Sequence, residues 1–284
     1  MKRIQMLGAL SAAALLLAIT GCTSSSGKPA DAGSAQASLG TLKIASMLAF
    51  PPFNETVDGK AAGFEVDMIN SISKKLGYSD IEWIISDFPG IIPNVAAHKV
   101  DMAAAGVTGW AEKGTPTFDV VTKRIEQVSF TRPYYVQSAV LVSNSSKLTS
   151  LDQLKPGMKV AVEQASQYYT WANNNLAPKG IEIVAGPQAS LYSELDAGLV
   201  DALIDGTASS ASALVKKPSL VIGDSIPGTS GGFCFVVAKD NTKLLKTLND
   251  AVTKYIEDGS YTKLYAKYFP GAKVPELPSN NFAG

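Results

Sequence analysis

The chain has 284 residues, of which 46% are hydrophobic and 18% charged, and it carries 25 basic and 25 acidic side chains. This composition is typical of a globular protein with a sizeable core and excludes a disordered or fibrous chain. The balanced charge leaves no basic face for nucleic acid, so we expect a small molecule or a protein as the partner. The length predicts one or two domains.

The first 22 residues have the layout of a secretory leader. Lys2 and Arg3 precede an uncharged, mostly apolar stretch from Ile4 to Ile19, and Thr20-Gly21-Cys22 follow. A single-pass membrane helix is the alternative. The apolar run is shorter than the ~20 residues that a span requires, and Ser and Gly rather than basic residues come next. We therefore predict a signal peptide over residues 1–21.

The end of the leader, Ile19-Thr20-Gly21-Cys22, resembles the lipobox of bacterial lipoproteins, in which the cysteine receives the lipid. An incidental cysteine is the alternative. Residues 22–40 are rich in Ser, Gly and Ala without apolar periodicity, which indicates a flexible tether. The resemblance implies an extracytoplasmic protein that acyl chains on Cys22, palmitate among them, hold at the membrane. Cys234 lies in an apolar run and is predicted to be a buried, inert thiol.

From Leu42 onward, short β-like runs alternate with amphipathic helices. The first unit is a strand at 42–46 and a helix near Glu65 that ends at Gly77 as a C-cap. Further strands are predicted at 81–85, 100–105, 158–162, 181–184, 201–204 and 232–237, and further helices at 91–97, 166–174, 189–197, 242–256 and through Tyr261 and Tyr265. The alternation predicts an α/β fold with largely parallel, helix-covered sheets.

Seven segments in a fixed order carry a resemblance to a known family. They are LKIASMLAFPPF, DGKAAGFEVDMINSISKKLG, SDFPGIIPNVAAHKVDMAAAGVT, RIEQVSFTRPYY, KVAVEQASQ, VDALID and GGFCFVVAK. Across nearly all of residues 41–271 the chain resembles the extracellular solute-binding proteins of polar amino-acid uptake systems. The resemblance implies a two-lobed periplasmic-binding-protein fold, in which each lobe is a mostly parallel sheet flanked by helices and two hinge strands join the lobes.

The resemblance also implies limits for these parts. They are lobe 1 at 41–133 and 232–271, lobe 2 at 139–226, hinge strands at 134–138 and 227–231, and an irregular tail at 272–284. The tail is Pro and Asn rich, which supports an irregular structure independently.

What the resemblance implies for function is capture of a free amino acid between two closing lobes and its delivery to the permease of an ABC transporter. The protein would act as a monomer without a metal or other cofactor. An exported cyclohexadienyl (arogenate or prephenate) dehydratase-like enzyme and an amino-acid sensing module are the alternatives. The enzyme would need a general acid in the cleft, for which Glu163 is the candidate. The single histidine, His98, is predicted to be exposed and not catalytic.

The cation that clamps the ligand's carboxylate is the main open point of the predicted site. The family has a bidentate Arg shortly after a stretch that matches Gly106-Val107-Thr108, and Lys113 stands at the usual distance. Arg124 matches the Arg that precedes the family's VxFS-like segment, which implies an insertion over residues 109–122. We prefer Arg124, and Lys113 stays the alternative.

A helix start in the second lobe is predicted to hold the same carboxylate. Ser166 follows a strand where the family uses a hydroxyl and backbone N–H groups, and Gln167 is a weaker candidate for the same cluster. A helix N-terminus supplies free donors and positive potential, which suits an anion. Ser166 also fits a simple N-cap, and one residue can serve both purposes.

The resemblance implies oxygen ligands for the ammonium group of the amino acid. They are the carbonyl of Ala105 or Gly106, the hydroxyl of Thr108 and the carboxylate of Asp205. Asp205 stands one residue before the family's acid, and Gly206 occupies the matching position. A turn at the end of a strand is the alternative for Asp205.

Two aromatic residues match those that enclose the ligand in the family. Phe50 and Phe88 both stand in turns after strands rather than on periodic faces, whereas Phe53 is predicted to belong to the core. Met47 and Glu163 stand at positions that influence side-chain specificity in relatives. Met47 argues against a basic ligand and Glu163 argues for one, so the sequence indicates only a proteinogenic amino acid.

Overall fold

Residues 38–145 and 147–279 are described in the computed structural model. The predicted leader, the lipidation site at Cys22 and most of the predicted tether lie outside these residues. Within the described part of the chain, no helix has the length and apolar character that a membrane span requires.

The helices alternate with strands along the chain. They are α1 (Phe64–Leu76), α2 (Phe88–Ala96), α3 (Pro116–Ile125), α4 (Gln167–Asn175), α5 (Gln188–Asp196), α6 (Thr207–Lys216), α7 (Thr242–Glu257) and α8 (Ser260–Tyr268). The predicted end of α1 is confirmed, because Gly77 has a left-handed conformation with φ of 90°. The helices α3 and α6 are not among the predicted ones.

Among the residues that the structure describes, the strands form four sheets. They are β1 (Thr41–Ser46), β2 (Ala49–Phe50), β3 (Asn54–Val57), β4 (Lys60–Ala62), β5 (Asp80–Ile85), β6 (Met102–Ala103), β7 (Thr108–Trp110), β8 (Val128–Phe130), β9 (Tyr135–Gln137), β10 (Ala139–Ser143), β11 (Lys159–Glu163), β12 (Glu182–Gly186), β13 (Ala202–Gly206), β14 (Val221–Ser225), β15 (Gly231–Phe233) and β16 (Val236–Ala238). The small sheet β2-β3-β4 is a meander beside α1.

The first large sheet has the strand order β5-β1-β6-β16-β8. Strands β5, β1 and β6 are parallel, and β16 runs antiparallel to both β6 and β8. The prediction of one strand over 232–237 is wrong, because the chain divides there into β15 and β16, which belong to different sheets. Cys234 lies between them, fully buried and unpaired, as predicted.

The second large sheet has the order β12-β11-β13-β10-β14. Strands β12, β11 and β13 are parallel, whereas β10 is antiparallel to both β13 and β14. Each large sheet is therefore mostly parallel with one reversed strand, and helices flank it. This confirms the predicted α/β fold class.

A third sheet connects the two large ones. Strand β15 pairs antiparallel with β9, with Gly231 opposite Gln137 and Phe233 opposite Tyr135, and on its other edge with β7. Strand β9 lies within the predicted hinge segment 134–138, whereas β15 shares only Gly231 with the predicted segment 227–231. Strand β7 adds a third strand, which carries Thr108. The exact limits of the lobes stay a prediction.

Aromatic packing fixes this connecting sheet to the first large sheet. Phe53 lies 4.8 Å from the Tyr135 ring and 5.1 Å from the Phe233 ring, both in edge-on geometry. Phe64 on α1 packs edge-on against Tyr261 of α8. Edge-on pairs of buried rings stabilise a core beyond the burial of their area. These rings therefore pack the connecting sheet against α1 and the turn before β3.

Candidate ligand-binding cleft

Arg124 lies at the C-terminal end of α3 and reaches across to the second large sheet. Its Nη1 donates to the Thr108 carbonyl at 2.9 Å, and its Nη2 donates to the Ala165 carbonyl at 3.1 Å. The side chain is only 6% exposed. Burial lowers the pKa of Arg124 to about 10, and the charge of Glu163 acts in the opposite direction. The guanidinium therefore stays charged at neutral pH and bridges two walls of a cleft.

The helix α3 explains why Arg124 arrives in this position. It begins after Thr115, whose side chain accepts a hydrogen bond from the Phe118 N–H, and it occupies much of the predicted insertion. Near its start, Thr117 donates to the Gly228 carbonyl next to the second hinge strand. Lys113 precedes this helix and is exposed. The structure thus brings Arg124, and not Lys113, into the cleft.

The start of α4 faces Arg124 from the other wall. Ser166 is its N-cap, and the Ser166 hydroxyl accepts from the Tyr169 N–H at 3.1 Å. Ser166 and Gln167 are both buried, at 3% and 5% exposure. The preceding Ala165 has a left-handed conformation with φ of 60°, which turns its carbonyl to Arg124.

The loop after β6 presents the predicted ammonium ligands. Ala105, Gly106 and Thr108 are all buried, and within the described ranges the Thr108 hydroxyl has no hydrogen-bond partner. Gly106 has a φ of 60°, and a Cβ there would stand 2.5 Å from the Phe50 ring. Only glycine satisfies both conditions, so the close packing of this loop depends on it.

A buried carboxyl that the sequence did not single out holds this loop in place. Glu65 on α1 accepts hydrogen bonds from the Gly106 N–H at 2.8 Å, the Asn54 amide at 2.7 Å and the Tyr134 hydroxyl. Burial raises the pKa of Glu65, and these three donors act against that rise. In the sequence, Glu65 is a single acid beside the apolar face of α1. Periodicity assigns such an acid to the solvent-exposed side of the helix.

The two predicted aromatic residues lie in different surroundings. Phe50 is buried, stacks on Phe53 at 5.2 Å and packs edge-on against Phe233 at 6.0 Å. Phe88 is half-buried at the start of α2, and its ring centroid lies 5.7 Å from the guanidinium carbon of Arg124. Phe88 is therefore in the cleft wall, whereas contact between Phe50 and a ligand stays a prediction.

A cavity of about 180 Å³ lies between the walls of the cleft. Met47 follows β1 and Phe88 begins α2 on one side, while Glu163 ends β11 and Gln188 begins α5 on the other. Three residues predicted for the site thus line one cavity together. Gln188, the first residue of α5, is a fourth that the sequence reasoning missed, because it resembles an ordinary helix-start residue.

Glu163 ends strand β11 and is 9% exposed. Its Oε1 has no hydrogen-bond partner among the residues that the structure describes. Burial raises the pKa of Glu163 to about 8, the charge of Asp205 adds to this rise, and Arg124 opposes it. The carboxyl is therefore largely protonated at neutral pH.

Asp205 lies at the end of β13 and is fully engaged with protein donors. Its carboxylate accepts from the Gly206 N–H at 2.7 Å, the Tyr192 hydroxyl at 2.7 Å and the Gln188 amide at 3.0 Å. Burial raises the pKa of Asp205, and these donors lower it. Contact between Asp205 and the ligand's ammonium stays a prediction.

The glycine at the family's acidic position has a steric reason. A Cβ at Gly206 would stand 1.9 Å from the side-chain nitrogen of Gln137. The Gln137 side chain is held there, because its oxygen accepts from the Ala208 N–H at 3.1 Å. The hinge residue Gln137 therefore occupies the space that a side chain at position 206 would need.

The fold and this cleft define a class of protein: a two-lobed binding protein whose ligand site lies between α/β lobes joined by hinge strands. The profile of the bacterial extracellular solute-binding proteins, family 3, matches residues 42–271. The chain belongs to this family.

Individual relatives agree with this assignment. A candidate arginine-binding protein of an ABC transporter from Escherichia coli strain K12 is 31% identical over 81% of this chain and 90% of its own length. The solved structure of an ancestral arginine-binding protein bound to arginine matches with a TM-score of 0.71 and 29% identity, over 81% of this chain and 98% of that one. An ancestral amino acid-binding protein, described as a precursor of cyclohexadienyl dehydratase, matches with a TM-score of 0.70 and 26% identity, over 81% and 95%.

Proposed function

We propose that this chain captures a free amino acid in the cleft and, as a monomer, delivers it to the permease of an ABC transporter. The observation that carries the proposal is the buried guanidinium of Arg124, which bonds to both walls beside the cavity. The names of the relatives, an arginine-binding protein of an ABC transporter and two amino acid-binding proteins, support the ligand class.

The carboxylate of the amino acid would lie between Arg124 and the start of α4. A guanidinium has five N–H donors, and two of them serve the Thr108 and Ala165 carbonyls, so others remain for an anion. The N-terminus of a nine-residue helix adds free backbone donors at Ser166 and Gln167. Charge-assisted, bidentate hydrogen bonds are the strongest geometry for a carboxylate that has lost its water.

The ammonium group would lie beside the loop after β6. The Thr108 hydroxyl is buried without a partner among the described residues, and the Ala105 and Gly106 carbonyls stand next to it in the chain. A buried ammonium needs such acceptors, because its desolvation is otherwise uncompensated.

Closure of the cleft couples these contacts to capture. The contact of Arg124 with Ala165 and an ion pair between Lys216 of α6 and Glu55 of β3, at 3.8 Å, join the two walls. A ligand that contacts both walls binds the closed arrangement more tightly and shifts the equilibrium towards it. The pairing of β9 with β15 gives a continuous connection about which such a movement occurs.

The membrane attachment is a separate part of the proposal. We propose that residues 1–21 are removed on export and that lipid on Cys22 holds the protein outside the cytoplasm. Cells that express the Cys22→Ala variant should release soluble protein, and fractionation followed by immunoblotting measures it. Membrane retention equal to that of the unchanged protein would contradict the anchor.

An enzymatic function is the second candidate, and one observation favours it. The Glu163 carboxyl keeps its proton near neutral pH and lines the cavity, as a general acid would. We propose binding without turnover, because the relatives matched in sequence and structure are named as binding proteins. Incubation with arogenate or prephenate should return the compound unchanged by chromatography, and product that accumulates in proportion to protein would contradict this.

The test of amino-acid binding is a thermal-shift screen of the protein against the twenty amino acids, followed by calorimetry. Arg124→Ala should weaken binding of every hit by about 100-fold, since loss of a buried charged partner costs about 2–5 kcal/mol. Lys113→Ala is the matched control, because it removes an exposed cation from the same segment and should leave affinity unchanged. No hit among the twenty, or equal affinity in Arg124→Ala, would overturn the proposal.

A further inference from the structure

Two residues that line the cavity each have a buried side-chain oxygen whose hydrogen-bonding capacity is unsatisfied. Glu163 Oε1 and Gln188 Oε1 lack a hydrogen-bond partner in the described part of the chain, and their side chains are 9% and 7% exposed. Both residues line the cavity. A buried acceptor left unsatisfied costs about 1–3 kcal/mol, so two of them on residues that line one cavity indicate donors that a ligand brings.

The orientation of the Gln188 amide is fixed by a carboxylate behind it. The Gln188 nitrogen donates to Asp205 Oδ2 at 3.0 Å, and the same oxygen accepts from the Tyr192 hydroxyl at 2.7 Å. A flipped amide would place two oxygens against each other. Asp205 therefore holds the NH₂ group of Gln188 and leaves the amide oxygen as the acceptor without a partner in the described residues.

The remaining lining fits an apolar stem. Met47 and Phe88 lie in this lining with three polar residues, Ser86, Asp87 and Gln164. No Lys or Arg occurs among the described residues that line the cavity. A side chain with a terminal carboxylate would meet no cation in this lining and would lie against the side-chain oxygens of Glu163 and Gln188. A side chain with an aliphatic stem and terminal N–H groups would satisfy both free oxygens.

We infer that this cavity is the side-chain subsite for an amino acid whose side chain ends in N–H donors, and that Glu163 and Gln188 select it. Asp205 is a positioning residue, since it acts through Gln188. The inference rests on the proposed function and adds to it the chemistry that the ligand's side chain must have. It also gives Asp205 a role different from contact with the ligand's ammonium.

The selectivity of Glu163→Gln tests the pair. Calorimetry with arginine, norleucine, glutamine and glutamate compares side chains with and without terminal donors. The unchanged protein should bind arginine over norleucine and glutamine over glutamate by at least tenfold. In Glu163→Gln, arginine affinity should fall about 10- to 100-fold, because a charge-assisted hydrogen bond is lost, while norleucine changes by less than threefold.

Glu182→Gln is the matched control, because Glu182 stands on the neighbouring strand β12 and its side chain is 58% exposed. It should keep the preferences of the unchanged protein. If the protein binds amino acids and Glu163→Gln changes their relative affinities by less than threefold, the subsite is overturned and the proposed function stays intact. Absence of binding by all four compounds and by the remaining amino acids would overturn the proposed function and the subsite with it.

The role of Asp205 is separated by Asp205→Asn. If Asp205 positions Gln188, the variant frees the Gln188 amide to turn, and the preference for glutamine over glutamate should shrink at least fivefold. If Asp205 instead contacts the ammonium, all ligands should lose affinity by the same factor and the preference should stay. The second result, or no effect on either quantity, would overturn the positioning role.

Discussion

Two buried acids in this molecule differ in what surrounds them. Glu65, beneath the loop after β6, accepts hydrogen bonds from a side-chain amide, a backbone N–H and a tyrosine hydroxyl. Glu163, at the end of β11, lines a cavity and has one carboxyl oxygen without a partner in the described residues. Burial raises the pKa of both groups.

The comparison teaches how to separate a structural acid from a ligand-binding one. When the protein satisfies every acceptor of a buried carboxyl, the group connects elements, as Glu65 connects α1 to Gly106 and to the hinge residue Tyr134. An acceptor left without a donor beside a cavity lowers the stability of the empty protein, and a ligand that donates to it restores the lost free energy. Burial alone does not distinguish the two cases.

The largest effect should come from removing the structural acid. Glu65→Ala leaves three buried donors without their acceptor, and we expect a loss of about 4 kcal/mol in the free energy of unfolding, seen as a fall of about 10 °C in Tm. Circular dichroism during urea and thermal unfolding measures it, with Glu182→Ala as the exposed control. A loss below 1 kcal/mol would mean that Glu65 does not connect these elements.

The opposite sign is expected for the ligand-binding acid. Between the ordinary pKa of 4.5 and about 8, the folded protein keeps the Glu163 proton that the unfolded chain releases. This contribution to stability is therefore lost as pH rises through that window. Glu163→Gln removes the titrating group, so the variant does not lose this stability at high pH. The Tm of the empty protein should therefore rise by roughly 5 °C at pH 8, with little change at pH 5.

The neighbours of Glu163 enter this expectation. Asp205 and Arg124 act on its pKa with opposite signs, and Tyr168 lies close enough to respond to both acids. All three remain in Glu163→Gln, so the difference between the two proteins isolates Glu163. Equal Tm differences at pH 5 and pH 8 would show that Glu163 titrates like an exposed acid.

A smaller effect accompanies binding itself. A donor-bearing cation beside Glu163 favours its ionised form, so binding of arginine at pH 7 should release about 0.5 to 1 proton. Calorimetry in two buffers of different ionisation enthalpy measures this number. Glu163→Gln should bring it near zero, and an undiminished release in that variant would assign the proton to another group.

The smallest effect is expected at the rim of the cleft. Lys216 and Glu55 join the two walls at 3.8 Å, but the Lys216 side chain is 64% exposed. Exposed ion pairs contribute about 0–1 kcal/mol, so Lys216→Ala should weaken ligand binding by less than about threefold. A tenfold loss would show that closure depends on the rim rather than on the interior contacts.

The sequence predicted the elements whose pattern is local. The strand at 42–46, the helix that ends at Gly77 and the N-cap at Ser166 follow from periodicity and capping, and the structure has them within a few residues. The helix α3 escaped prediction because it lies in a segment without a match in the family pattern. Its only local signals are Thr115 and Pro116 at its start.

The candidate site was also predictable in part. Arg124, Glu163, Phe88 and Met47 follow from the family's order of segments, and the structure places them around one cleft. Gln188 and Glu65 could not be predicted, because their roles depend on partners 17 and 41 positions away in the chain. Likewise, the Gln137 side chain fills the space that a side chain at position 206 would need, which is a property of packing and not of local sequence.

The most direct measurement is a crystal structure of the protein with a saturating amino acid selected by the thermal-shift screen. We expect the ligand's carboxylate on Arg124 and on the first backbone N–H groups of α4, and its terminal N–H groups at hydrogen-bond distance from Glu163 Oε1 and Gln188 Oε1. A ligand whose carboxylate lies away from Arg124, or a cleft that stays empty at saturation, would contradict the account.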